Sequence, residues 1–286
     1  MDILFSKSIR SDNDEYLALR DCARNAELRN KCKLLWEKFV PFADRSFARE
    51  FALHPYQRFW EMYLGSRLLD LEFEIQKRAT ERGPDFHLII ENRNVWIEAT
   101  VPSEGVGYDS VPSPTEINKY EPIPEEKIIL RFTNAISEKN KKLSQYIEDG
   151  TVQQNDAFII GICGGKIPLA QYNGTMRSII KSVYPFGEHS SKIDPMSLEI
   201  VENGYRKRTK IIKNSGSQVS TDGFFNPLYS GISGIIYSDT TMTNLPNEPD
   251  KEFLYIHNYQ ANVPMRKGWL KSGKDCWFDE NGLFIE

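Results

Sequence analysis

The sequence GPDFHLIIENRNVWIEAT occupies residues 83–100 and predicts two adjacent β-strands joined by a polar turn. Residues 85–90 alternate into an apolar run, and residues 95–100 return as a second run that is rich in β-formers. Two acids in this hairpin need an explanation. Asp85 opens the first strand, and Glu98 stands between two apolar residues, where an unpaired carboxylate would be costly to bury. Carboxylates on neighbouring strands can reach one point in space, and their oxygens are ligands that Mg²⁺ and Mn²⁺ prefer.

These residues resemble the signature of the PD-(D/E)xK nuclease superfamily, whose members have a restriction-endonuclease-like fold. Pro84-Asp85, an extended segment and Glu98 match the first two elements of that signature. Its third element is a lysine two residues after the second acid, where this chain has Thr100. The resemblance implies an α/β (α+β) fold with a mixed central sheet flanked by helices. It also implies that Asp85, Glu98 and the backbone carbonyl of Ala99 hold Mg²⁺ or Mn²⁺.

A bacterial group of proteins that lack the strand lysine is similar over more of the chain. The shared motifs are Trp-Glu, Gly-Pro-Asp-Phe and Trp-Ile-Glu-Ala in that order, and here they lie at residues 60–61, 83–86 and 96–99. The superfamily resemblance covers roughly residues 51–165. We therefore expect an N-terminal helical segment (1–50), a nuclease-like core (51–165) and a C-terminal β-rich extension packed on that core (166–286).

The composition is that of an ordinary globular protein. The 286 residues are 40% hydrophobic and 27% charged, and the net charge of -4 provides no global positive field to hold nucleic acid. Any such binding must come from a local basic patch. The four cysteines are scattered without a Cys-x-x-Cys motif, which argues against a zinc site or a disulfide scaffold and favours a reducing cytoplasm. No run approaches about 18 apolar residues, so no membrane partner is expected.

The region before the hairpin has helical periodicity, and one of its helices carries a candidate catalytic acid. We predict helices over residues 13–40, 45–53 and 56–71, followed by a first strand over residues 72–79. Glu61 lies on the flank of the apolar face of the third helix. It is either a boundary acid with its head in solvent or an acid that leans over the sheet toward the two strand acids. The superfamily often carries such an acid on this helix.

The helix predicted over residues 125–148 has a lysine inside its apolar stripe. The stripe passes through Lys139, and its apolar members are Phe132, Ile136, Leu143 and Tyr146. Because residues that break a local pattern are expected at functional sites, we predict that Lys139 replaces the lysine missing at position 100. Some superfamily members carry the catalytic lysine on this helix. Lys142, one turn on and on the side of Arg131, is the second candidate. The alternative is that Lys139 lays its methylenes along the core edge and extends its ammonium into water.

The remaining segments give weaker signals. Residues 101–126 are rich in Pro, Gly and Ser, and they form either a lid over the site or an ordered surface excursion. The apolar run at residues 157–163 predicts a strand buried on both faces. The C-terminal third predicts a short helix near residues 175–184 and strands around residues 198–201, 209–212, 232–237 and 253–257.

A basic cluster in the C-terminal third is either a set of phosphate contacts or a solvated edge strand. Its members are Arg206, Lys207, Arg208, Lys210 and Lys213. The candidate phosphate contacts of the whole chain are Lys142, Arg131, Arg206, Arg208 and Lys210.

The expected function is a metal-dependent phosphodiesterase that hydrolyses the backbone of DNA or RNA, with DNA the preferred partner. Its candidate catalytic residues are Asp85, Glu98, Lys139 and Glu61. One alternative is a degenerate member of the same fold that binds nucleic acid without cutting it. Another is a structural or interaction protein whose strand acids are paired by Arg67 or Arg131. The sequence does not decide whether the chain forms a homodimer.

Overall fold

The hairpin at the start of the sheet consists of β1 (Phe86–Ile90) and β2 (Arg93–Thr100), which pair antiparallel. Its turn is the two-residue connection Glu91-Asn92, and both residues have positive φ, 52° and 61°. Turns with two left-handed central residues match the natural twist of paired strands. The turn therefore begins one residue earlier than the polar sequence alone indicates. The computed structural model describes residues 3–77, 83–114, 122–172, 176–246 and 253–286.

The central sheet of the described chain has seven strands, and those beyond the hairpin are β3 (Ala157–Cys163), β8 (Gly234–Ser238), β9 (Leu254–His257), β10 (Lys274–Asp279) and β11 (Gly282–Ile285). Their order in the sheet is β1-β2-β3-β8-β9-β10-β11. The pairs β2–β3, β3–β8 and β9–β10 are parallel, whereas β1–β2, β8–β9 and β10–β11 are antiparallel. A mixed α/β architecture is confirmed, and the C-terminal third supplies four strands of this sheet.

The helices pack on this sheet and on one another. The α-helices of the described residues are α1 (Asp14–Asp21), α2 (Ala26–Phe39), α3 (Phe47–Leu53), α4 (Pro55–Asp70) and α5 (Glu125–Glu148). In sequence, α5 connects β2 to the parallel strand β3, as a crossover helix does. Its bounds are those predicted, and β3 is buried at every position, as its apolar run predicts. No helix in the described part of the chain is long and apolar enough to cross a membrane.

The two faces of the sheet are covered by different helices. Side chains alternate along a strand, so Ile97 and Ala99 of β2 face the cluster that contains α4, whereas Trp96 packs with the cluster that contains α5. The α4 helix approaches closely because glycines lie at the contact. A Cβ added to Gly65 of α4 would come within 2.8 Å of the Phe86 ring of β1, and one added to Gly161 of β3 within 2.7 Å of the Leu64 side chain.

The predicted single helix over residues 13–40 is wrong, because the chain leaves helical geometry at Cys22 (φ -75°, ψ 125°). Side chains satisfy the carbonyl groups that this break exposes. Arg29 donates to the Cys22 and Leu19 carbonyls at 2.6 and 2.9 Å, and the amide of Asn25 donates to the Ala18 carbonyl at 2.9 Å. A 3₁₀ turn, Ala23–Asn25, then leads into α2.

Two more local predictions are wrong in the described residues. The sequence predicts a strand over residues 72–79, but the structure has only an isolated antiparallel bridge between Ile75 and Leu88 in the described part of this segment. The Gln76 N–H donates to the His87 carbonyl at 2.8 Å beside this bridge. Residues 78–82 lie outside the described ranges. In place of a helix over residues 175–184 there is a 3₁₀ turn, Ile180–Ser182, and residue 175 lies outside the described ranges.

Two small hairpins lie apart from the central sheet. The first pairs β4 (Phe186–Ile193) with β5 (Ile200–Lys207), and the second pairs β6 (Lys210–Ile212) with β7 (Gln218–Ser220). The described part of the 101–126 segment includes a 3₁₀ turn, Gly107–Asp109. This segment contacts the β6–β7 hairpin, because the Asn214 N–H donates to the Asp109 carboxylate at 2.9 Å.

Candidate functional site

Glu98 is the centre of the candidate site. It follows Ile97 in β2, so strand alternation turns its side chain away from α4 and toward α5. The side chain is only 2% exposed. An ionised carboxylate at such a depth requires compensating partners, since an unpaired buried charge costs several kcal/mol.

The partners of Glu98 come from three positions on one face of α5. Lys139 and Lys142 both donate to Oε1, with Nζ–Oε1 distances of 2.9 and 2.6 Å. The hydroxyl of Tyr146 donates to Oε2 at 3.1 Å. Spacings of three and four residues bring side chains onto one helical face, so the local geometry of α5 produces this cluster. Both of the lysines predicted from the sequence therefore reach the strand acid.

The two lysines have different environments. The side chain of Lys139 is 17% exposed, whereas that of Lys142 is 44% exposed. Burial alone would lower the pKa of Lys142, but the charge of Glu98 and its hydrogen bond raise that pKa above its usual value. Burial, reinforced by the charge of Glu98, raises the pKa of the Tyr146 hydroxyl to about 12. Lys142 is therefore an ammonium group and Tyr146 a neutral phenol at neutral pH.

The side chain of Asp85 binds the backbone of the same strand. Its Oδ2 accepts a hydrogen bond from the Ala99 N–H at 2.7 Å, so this carboxylate lies beside the residue that follows Glu98. The carbonyl oxygen of Ala99 accepts from the Gln57 side-chain amide at 3.3 Å, and the Val101 N–H donates to Gln57 Oε1 at 3.0 Å. Gln57 thus fixes the end of β2 from the first turn of α4.

Glu61 lies with a different set of charges. Arg58 donates to Glu61 Oε2 at 2.7 Å and to the Asp44 carboxylate at 3.2 Å. Burial alone would lower the pKa of Arg58, but the charges of Glu61, Asp44 and Asp85 raise it. The structure therefore places Glu61 in an ion-pair cluster on α4, across the sheet from the Glu98 side chain, where the sequence had suggested an acid leaning toward Glu98. Asp85 is close enough to Arg58 to link the two groups electrostatically.

The candidate phosphate contacts other than Lys142 are dispersed. Arg131 donates to the Ser103 carbonyl at 2.8 Å, and Lys210 donates to the Gln218 side chain at 2.8 Å. Arg208 is an ion-pair partner of Glu125 at 3.6 Å. Arg206 is exposed on β5. Arg67, which could have paired a strand acid, binds Asp70 at 2.6 Å.

Three residues of the site, Gln57, Arg58 and Tyr146, do not stand out as site residues in the sequence. Tyr146 had a usable signal, because it follows Lys139 and Lys142 at spacings of seven and four residues. Gln57 had none, since its partner Ala99 is 42 positions away. Arg58 had a local signal, because Glu61 follows it at a spacing of three residues.

Two carboxylates and a backbone carbonyl are the donor types that a hard divalent cation prefers, and here they are those of Asp85, just before β1, and of Glu98 and Ala99 in β2. In the arrangement described, ammonium, phenol and amide groups are bonded to the Glu98 and Ala99 oxygens. Within residues 3–77, 83–114, 122–172, 176–246 and 253–286, no group of three or more His, Cys, Asp or Glu side chains is arranged to hold a metal ion.

The chain was also compared with known proteins. No family model, curated protein or solved structure matches it.

Proposed function

We propose that this chain is a metal-dependent phosphodiesterase that hydrolyses the backbone of nucleic acid, with DNA preferred over RNA. The observation that carries the proposal is that Lys139 and Lys142 of α5 both bind the Glu98 carboxylate. Asp85 accepts a hydrogen bond from the N–H of the next residue, Ala99. These residues belong to separate segments, and a surface salt bridge would not require a strand acid that is 2% exposed.

The order of elements supports assigning the core to the restriction-endonuclease-like fold. A helix precedes the Asp85–Glu98 hairpin, and α5 then leads to the buried parallel strand β3. The Ile75–Leu88 bridge stands where the first strand of that core is expected. In this assignment Lys139 takes the place of the lysine absent at position 100.

In the proposed site, Asp85, Glu98 and the Ala99 carbonyl would hold Mg²⁺ or Mn²⁺. Such an ion, when bound, supplies a nucleophilic hydroxide and neutralises charge on the leaving oxygen. The residues of the chain have separate tasks. Lys139 is held in place by its hydrogen bond to Glu98. Its positive charge would stabilise the negative charge that develops on the phosphoryl oxygens in the transition state. Gln57 holds the Ala99 carbonyl in place.

Lys142 is the residue that has to move. Its ammonium shares Oε1 of Glu98 with Lys139, and a divalent ion at that oxygen would repel both. Because Lys142 is the more exposed of the two, it is the one that can withdraw into solvent, where it becomes a contact for a substrate phosphate. Lys139 would remain in the site.

A second candidate function has an observation in its favour. The positive charges of two lysines already outweigh the single negative charge of Glu98, which suits a site that binds a backbone phosphate without a metal. This candidate is a nucleic-acid-binding protein that does not cleave. The four free cysteines agree with the cytoplasmic setting that either function would have.

The test is a cleavage assay on single- and double-stranded DNA and RNA, with Mg²⁺ or Mn²⁺ and with a chelator. The variants are Asp85→Ala, Glu98→Ala and Lys139→Ala, and the matched control is Lys141→Ala, which replaces an exposed lysine of the same helix. We expect metal-dependent cleavage by the parent and the control alone. Salt-dependent binding without cleavage would establish the second candidate, and the absence of both would refute the two together.

A further inference from the structure

The β4–β5 hairpin, which we call the ribbon (residues 186–207), ends in an exposed apolar tip. Five large apolar side chains lie in the nine consecutive residues 193–201 at the tip, and each is between 55 and 93% exposed. They are Ile193, Met196, Leu198, Ile200 and Val201. Clusters of this kind on a protein surface mark interaction sites more often than scattered single residues do.

The tip has a defined backbone conformation that is held by hydrogen bonds. The Asp194 carboxylate accepts from the backbone N–H groups of Met196 and Ser197 at 2.8 and 3.0 Å. The Leu198 N–H donates to the Asp194 carbonyl at 2.8 Å, and the Asp194 N–H donates to the Glu199 carbonyl at 2.9 Å. These bonds fix the turn, so Met196 and Leu198 are held in solvent by the local backbone geometry.

The ribbon is a sheet of two strands in the described chain, and neither strand is paired with the central sheet. A two-stranded hairpin with solvent on most of both strands is marginally stable in water, and its outer edges present unpaired backbone groups. One added strand at an edge would supply both backbone partners and apolar cover. The ribbon thus has the properties of a surface to which a further strand could bind.

The charges of the ribbon indicate the chemistry of the partner. Residues 186–207 contain four acids and three bases, so the ribbon has a net charge of -1. A polyanion such as DNA would gain little from it. The signs are nevertheless separated over residues 199–207, because Glu199 and Glu202 lie toward the tip while Arg206 and Lys207 lie toward the base. A strand with acid at one end and base at the other is complementary to an antiparallel copy of itself.

Gly204 lies at the centre of this pattern. An antiparallel pairing of β5 with its copy, with the twofold axis at Gly204, places Glu202 of each strand opposite Arg206 of the other. No atom lies within 4 Å of a Cβ added to Gly204, so this face of the hairpin is open at the centre of the pattern. In the same register Val201 faces the aliphatic stem of Lys207. The result is a four-stranded sheet in the order β4-β5-β5-β4.

We propose that the ribbon is a dimerisation arm, and that two copies of this chain associate through antiparallel pairing of β5 about Gly204. The apolar tip of each arm then extends past the base of the other arm and is covered by the body of the second copy. This proposal does not depend on the proposed phosphodiesterase activity.

The experiment is sedimentation velocity of the full chain over a range of concentrations, with charge reversal at the predicted pair. We expect a dimer whose Kd rises at least about tenfold in Glu202→Arg and in Arg206→Glu, because one substitution alters two symmetry-related pairs. The double variant, which exchanges the two charges, is expected to restore the dimer. Leu198→Asp is expected to weaken it, while Tyr108→Asp, at a residue that is 90% exposed elsewhere, leaves it unchanged.

The outcomes separate the alternatives. A wild-type chain that is monomeric at every concentration overturns the proposal, and so does a dimer that the ribbon variants do not weaken. Failure of the exchanged double variant to restore association overturns the register. A monomer whose affinity for DNA falls in Arg206→Glu would instead assign the ribbon to nucleic acid. Far-UV circular dichroism checks that each variant is folded.

Discussion

Removing Lys139 and Lys142, singly and together, tests whether these two α5 lysines neutralise Glu98 as one unit. Methionine keeps the aliphatic stem of each side chain and removes the ammonium. In Lys139→Met, Glu98 loses a charge-assisted hydrogen bond from a side chain that is 17% exposed. Such bonds contribute about 1.5–3 kcal/mol. Because Lys142 remains on the same oxygen, we expect a loss at the lower end, about 1.5 kcal/mol.

Lys142→Met should cost less, since its ammonium is partly in water and exposed pairs contribute under about 1 kcal/mol. The double variant is different, because it leaves the Glu98 carboxylate buried with Tyr146 as its described side-chain partner. An uncompensated buried charge costs about 3–5 kcal/mol. We therefore expect the double variant to lose about 1 kcal/mol or more beyond the sum of the two single losses.

The assay is urea unfolding of the four proteins, with the free energy of unfolding compared at constant m-value. Lys141→Met is the matched control, and its exposed side chain should change the free energy by under about 0.5 kcal/mol. Additive losses in the double variant would refute the shared-carboxylate arrangement. A larger loss in Lys142→Met than in Lys139→Met would refute the assignment of the buried position.

Three further predictions concern packing and ionisation. Gly65→Ala should lower the free energy of unfolding by about 1–3 kcal/mol, because its Cβ would come within 2.6 Å of the Phe39 ring. A stability gain in thermal denaturation would contradict this close approach of α4 to α2. A thiol reagent should modify Cys22 alone in the native protein and all four cysteines after denaturation, since the other three are buried, and fast modification of more than one native thiol would count against this core. Burial and the charge of Glu98 raise the pKa of Tyr146 to about 12, above its unfolded value near 10. The advantage of wild type over Tyr146→Phe should therefore be complete below pH 10 and disappear between pH 10 and 12 in urea unfolding, and a pH-independent difference would exclude this environment.

The elements that the sequence predicted well are those with a strong local pattern. The α5 bounds follow from its periodicity, and β3 follows from an uninterrupted apolar run. Lys139 was found because it interrupts the apolar stripe of α5, and the structure brings it to Glu98. Each of these signals lies within one stretch of chain.

The elements that were missed depend on partners distant in sequence. The break at Cys22 is stabilised by the side chain of Arg29, which periodicity does not register. The central sheet gains β8–β11 through pairings between distant segments, so its strand order could not be predicted. Gln57 contacts Ala99 across 42 positions, and no local pattern distinguishes it.

Calorimetric titration with Mn²⁺ tests most directly whether Asp85 and Glu98 form a cation site. We predict saturable binding to the wild-type chain, tighter binding to Lys142→Met because a competing ammonium is removed from Oε1, and loss of binding in Asp85→Asn. Asp12→Asn, which replaces an exposed acid, should bind as the parent does. A wild-type chain that does not bind Mn²⁺, or a Lys142→Met variant that binds it no more tightly, would contradict the proposed site.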